Sequence, residues 1–194
     1  LGQIALNFAK AGRPVSLVSL EMADVEFSDR MLATVPETEL ARLPIYVADT
    51  VFDRAAITAA CRLSVKRHKS QLILIDYIQL VEGRGDTREQ QVSAVSRGMK
   101  RLAKELNVPV ICAAQLNREA TKKSKPALSD LRESGSLEQD GDNVIFLYPD
   151  ESKEFTIVEV AKQRGGRTES HKMKLDGPNF RFEHVDNFQE FDYV

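Results

Sequence analysis

Glu21, Asp76 and Gln115 each follow a short apolar run: VSLVSL before Glu21, LILI before Asp76 and VPVICAA before Gln115. Runs of this β-rich kind read as strands of a parallel sheet, buried on both faces. Side chains at the carboxyl ends of such strands face the crevice where open α/β sheets bind ligands. Asp76, closing a hydrophobic strand as a Walker B motif does, can hold a nucleotide-bound Mg²⁺. Glu21 can orient or deprotonate water, and Gln115 can sense a γ-phosphate. None of the three is unusual alone. Delivered to one sheet edge, they fit nucleotide hydrolysis.

Composition limits the alternatives. The chain has 194 residues, 42% hydrophobic and 29% charged, which suits one globular α/β domain with a sizeable core, with or without a small appendage. A net charge of −2 gives no global basic field, so any contact with nucleic acid must be local. Cys61 and Cys112 lie in apolar contexts and read as buried thiols of a cytoplasmic protein. His68, His171 and His184 are scattered and suggest no metal cluster. No apolar run approaches the roughly 20 residues of a membrane span.

The elements that would position the strand ends follow from periodicity. Leu1, Ile4, Ala5 and Phe8 share a helical face, and Gly12 can close that helix. Strand Val15–Leu20, helix Met22–Ala33 and strand Ile45–Val47 follow. Thr50 and Asp53 resemble a capping box opening a helix to about Lys69, whose Arg62–Lys69 stretch offers a wet face. A helix over Glu89–Leu106 has clean apolar spacing, and Gly98 within it points to close packing. Asn117–Pro126 reads as a lysine-bearing loop and Leu128–Gly141 as a loop with a short helix. Strands follow at Val144–Tyr148 and Glu154–Ala161. Thr168–Leu175 and Phe180–His184 form a hairpin with Gly177–Pro178 at its tip.

With these motifs in place, the chain resembles the C-terminal RecA-type motor domain of the DnaB replicative helicase family, from about Leu1 to Asn187. The resemblance rests on SLEM (Ser19–Met22), LILIDYIQL (Leu72–Leu80), RLAKELNVPV with AAQLNR (Arg101–Val110, Ala113–Arg118), SDLRESGSLEQDGD (Ser129–Asp142) and AKQRGG (Ala161–Gly166). It implies a RecA-like P-loop NTPase core, a mostly parallel sheet flanked by helices, with a C-terminal β-hairpin. It also implies ATP and Mg²⁺ as cofactors, single-stranded DNA as partner, a hexameric ring in the cytoplasm, and contacts to primase and a helicase loader. Glu21 would be the catalytic glutamate, Asp76 the Mg²⁺ ligand (through water) and Gln115 the γ-phosphate sensor. Arg132, Glu133 and Gly135 would lie on a DNA-binding loop. Lys162 and Arg164 would reach the neighbouring subunit's nucleotide.

Two departures stand beside this. No G-x-x-x-x-G-K-[ST] occurs in the sequence, as expected of a single motor domain cut just after that loop. The stretch from Ala33 to Ile45 is shorter than the family pattern. Read by physics alone, Arg132 and Glu133 also suit a surface ion pair, and Lys162 and Arg164 the face of an edge strand. A RecA/RadA-type recombinase and a P-loop-less regulatory paralogue are the rival readings.

Overall fold

The computed structural model describes residues 1–83, 85–117, 119–120, 123–131 and 135–185. The chain divides into two compact units, Leu1–Gln115 and Leu116–Val194.

The first unit is built on four parallel strands: β1 (Val15–Ser19), β2 (Ile45–Ala48), β3 (Leu72–Asp76) and β4 (Val110–Cys112), in spatial order β2-β1-β3-β4. All of β1 and the first four residues of β3 are buried, as expected of strands covered on both faces. On one face Val15, Leu17, Leu72 and Leu74 pack with Ala5, Leu6 and Ala9 of α1 (Gly2–Lys10) and with Phe27 and Met31 of α2 (Asp24–Leu32). Fully burying a Val, Leu, Phe or Met side chain contributes about 1.5–3 kcal/mol. Helix α1 ends in a Schellman motif: Arg13 N–H donates to Phe8 C=O, Gly12 N–H donates to Ala9 C=O, and Gly12 takes φ +75°.

A short helix, α3 (Glu37–Leu40), precedes β2. On the sheet's other face lie α4 (Arg54–His68) and α5 (Arg88–Leu106), joined to each other by an Arg62–Glu105 ion pair at 2.7 Å. Ser16 faces α4 from within the apolar strand, and its hydroxyl is satisfied by Ser64 and by Ser70, the latter at 2.8 Å. At Gly98 an added Cβ would come within 3.0 Å of the Arg54 side chain, so α5 lies close against the start of α4 there.

The helix over 54–68 does not open on a Thr50 capping box. Its N-cap is Asp53, whose carboxylate accepts the N–H groups of Ala55 and Ala56 at 2.8 and 3.0 Å. The preceding residues are held extended, because Glu82 N–H donates to Phe52 C=O and Arg54 N–H to Glu82 C=O. Lys69 in the left-handed region ends this helix, and Asn107 ends α5 the same way.

The second unit holds α6 (Gly135–Asp140) and an antiparallel meander of β5 (Asn143–Pro149), β6 (Thr156–Gln163), β7 (Ser170–Asp176) and β8 (Arg181–His184). The expected hairpin is thus the outer half of a four-stranded sheet. Asp176 pairs with Arg181 across its tip.

Candidate nucleotide-hydrolysis site

Three adjacent strands end side by side. Ser19 is in register with Asp76, and Leu20 N–H donates to Asp76 C=O at 2.8 Å, so Glu21 sits just past the last β1–β3 rung. Neighbouring strands lie about 4.8 Å apart, so the chain positions of Glu21 and Asp76 are brought to the same end of the sheet. The turn that delivers Glu21 is closed by the Ser19 hydroxyl, which accepts from Met22 N–H and donates to Met22 C=O. Glu21 is exposed and Asp76 half-buried, and the Asp76–Tyr77 peptide is cis.

Gln115 reaches the same edge by another device. The β3–β4 ladder continues past Cys112: Ala113 N–H donates to Ile75 C=O and Ile78 N–H to Ala113 C=O. Beyond that point Gln79, in a 3₁₀ turn at Ile78–Leu80, takes over. Its amide nitrogen donates to Gln115 C=O at 2.9 Å, and its amide oxygen accepts Gln115 N–H at 3.1 Å. Gln79 is 6% exposed. The motif LILIDYIQL contains it, but its role depends on a partner 36 positions away. The signal available in the sequence is a polar residue between Ile78 and Leu80, which once buried must find partners.

The amino end of α1 belongs to this edge too. Helix α1 packs against β1 and leads through Gly12–Pro14 into Val15, so its first turn lies toward the carboxyl end of that strand. A helix N-terminus favours negative charge such as that of phosphate. Mg²⁺ is commonly held by one or two carboxylates plus phosphate oxygens and waters. Asp76 supplies one such carboxylate, and no cluster of three or more metal-ligating side chains occurs among the described residues. The donor set fits a nucleotide-borne Mg²⁺.

The second unit carries the remaining candidates. Lys162 lies in β6 and its ammonium donates to the Glu138 carbonyl of α6. Arg164 lies one residue beyond the end of β6, in a turn where Gly165 takes φ +85°. The Arg164 side chain is 78% exposed and meets Asp142 at 3.5 Å. Gly135 opens α6, where an added Cβ would meet open space. Arg132 and Glu133 lie outside the described residues. Two lysines of the Asn117–Pro126 loop are engaged: Lys123 grips the buried Asp130 carboxylate at 2.6 Å, and Lys125 pairs with Glu159 at 2.8 Å. The Lys123 hydrogen bond is the leading cause that holds the Asp130 carboxyl below its ordinary value, with the Ala127 N–H adding to it.

A parallel sheet flanked by helices, with a carboxylate, a second carboxylate and an amide at adjacent strand ends, defines a RecA-like α/β domain. The family model described as DnaB-like helicase C terminal domain matches residues 34–184. The chain belongs to that family. The replicative DNA helicase DnaC of Bacillus subtilis (strain 168) is 38% identical over 200 residues, covering 84% of this chain and 44% of that protein. The replicative DNA helicase DnaB of Leifsonia xyli is 36% identical over 219 residues, covering 92% of this chain and 48% of that protein. The chain therefore spans about half the length of the curated relatives it matches.

Among solved structures, an ATPase domain superposes with TM-score 0.86 at 29% identity, over 95% of this chain and 79% of that one. A DnaB-like replicative helicase, solved with its interactions with primase, gives TM-score 0.84 at 29% identity, over 95% of this chain and 55% of that one. A KaiC-like protein from Pyrococcus horikoshii, at 18% identity and TM-score 0.71, shares the fold. No helix among the described residues is long and apolar enough to cross a membrane.

Proposed function

We propose that this chain is the motor domain of an ATP-driven replicative DNA helicase that works as a hexameric ring on single-stranded DNA. The observation that carries the reading is the convergence of Glu21, Asp76 and Gln115 on neighbouring ends of one parallel sheet, in a chain of the DnaB-like family.

Each residue has a task its chemistry allows. Glu21, exposed beside Asp76, takes the proton of the attacking water. Asp76 holds Mg²⁺, which when bound offsets charge on the phosphates. Gln115, exposed beyond the end of β4, reads the γ-phosphate through its amide. Lys162 and Arg164 act on the nucleotide of a neighbouring copy, a role suited to Arg164's exposed side chain. Arg132, Glu133 and Gly135 form the DNA-contacting segment. Its upstream flank is tied to the sensor by sequence, since Leu116 bridges to Leu131 and Asn117 N–H donates to Asp130 C=O at 2.9 Å. The interaction with primase described for the solved relative makes primase a candidate partner, with a helicase loader beside it and a cytoplasmic location.

The test is to image the intact protein on single-stranded DNA and assay it with a forked duplex. Closed rings and ATP-dependent unwinding are expected. Open filaments with strand exchange would make it a recombinase, and neither activity would favour a regulatory paralogue.

A further inference from the structure

We propose that Gln79 is a positioning residue for the reaction: it fixes the main chain of Gln115 relative to Asp76, so that sensor and metal ligand stand in one rigid frame. The inference rests on the assignment of Gln115 as nucleotide sensor. The geometry is that of a false β-rung. Where the β3–β4 ladder runs out, the Gln79 side-chain amide presents one donor and one acceptor to the Gln115 peptide, as a strand backbone would. Gln79 is buried and cannot exchange these bonds for water, whereas Gln115 stays exposed to meet a ligand. Only Tyr77 and Ile78 stand between Asp76 and Gln79, and Ile78 is already part of the 3₁₀ turn. Displacing the Gln115 main chain therefore means breaking both hydrogen bonds to the Gln79 amide or moving the Asp76 strand end. Gln115 in turn leads directly into Leu116 and its bridge to Leu131.

The experiment measures single-strand-stimulated ATP turnover of the intact protein in a double-mutant cycle: wild type, Gln79→Met, Gln115→Ala and both together. Methionine keeps the length of glutamine but cannot form the two-point pair. Gln79→Met should lower kcat by on the order of 10- to 100-fold, as expected for a misplaced reacting group. The KM for ATP should stay within about twofold, since ground-state binding is not what the pair controls. In the Gln115→Ala background, Gln79→Met should cost nothing further, because the side chain it positions is gone. Hydrogen exchange at the Gln115 amide should accelerate in Gln79→Met.

Losses that multiply in the double mutant would overturn the inference and make Gln79 a merely structural residue. So would wild-type turnover in Gln79→Met, or unchanged exchange at Gln115. If Gln115→Ala itself turns over like wild type, the sensor reading fails first and the positioning role falls with it. The single mutant at 115 thus separates the two failures.

Discussion

Asp150 gathers several partners around one carboxylate: Lys172 at 2.8 Å, the Ser152 hydroxyl at 2.8 Å and Phe155 N–H at 3.3 Å. The Lys172 hydrogen bond, ahead of the others, holds the carboxyl down at about 2, below the ordinary 3.8. A carboxyl whose folded value is depressed stabilises the fold above its unfolded value, and the contribution is lost as pH falls through the folded one. The loss should fall between about pH 4 and pH 2. We expect the melting temperature of wild type to drop more steeply over that window than that of Lys172→Met, followed by circular dichroism. Parallel acid limbs would show that the pair carries no pH-dependent stability. Asp150 is silent in the sequence, because nothing local announces Lys172 on another strand. Glu21, Asp76 and Gln115 are legible for the opposite reason: each closes its own apolar run. Gln79 sits in the same motif as Asp76 yet is also silent, since its meaning lies in the Gln115 peptide.

Elements show the same division between local and non-local information. Helices α1 and α5 announce themselves by apolar spacing, and Gly12 and Asn107 mark the ends where left-handed backbone closes them. The start of α4 differs from its sequence pattern because Thr50 and Asp53 match a capping box only in spacing. The rungs from Phe52 and Arg54 to Glu82 instead keep the chain extended until Asp53. Strands β5 to β8 are each readable, but the pairing of β6 with both β5 and β7 is not, because strand neighbours are a long-range choice. The Asp53 cap gives a direct check. Asp53→Ala leaves Ala55 and Ala56 N–H without their acceptor and should cost about 1 kcal/mol of unfolding free energy, read from urea denaturation. No change in midpoint would assign the start of the helix to the Glu82 rungs alone.

At the scale of the molecule, the proposed site is shared between copies: one supplies Glu21, Asp76 and Gln115 and its neighbour supplies Arg164. With a net charge of −2 the chain has no strong field of its own to draw in nucleotide, so local groups must supply the positive charge the transition state needs. Glu21→Gln should retain ATP binding and lose about 10²–10⁴-fold in turnover, the usual range for a general base. Arg164→Ala should also bind ATP, while losing the roughly 10³–10⁵-fold that an arginine finger contributes. The decisive measurement is the ATP turnover of the two variants mixed and allowed to assemble together. Some junctions would then place an intact Glu21 against an intact Arg164, and turnover should rise clearly above the sum of the two variants alone. Co-assembled mixtures that show only that sum would contradict a shared site, because each mutation would then be disabling its own subunit's site.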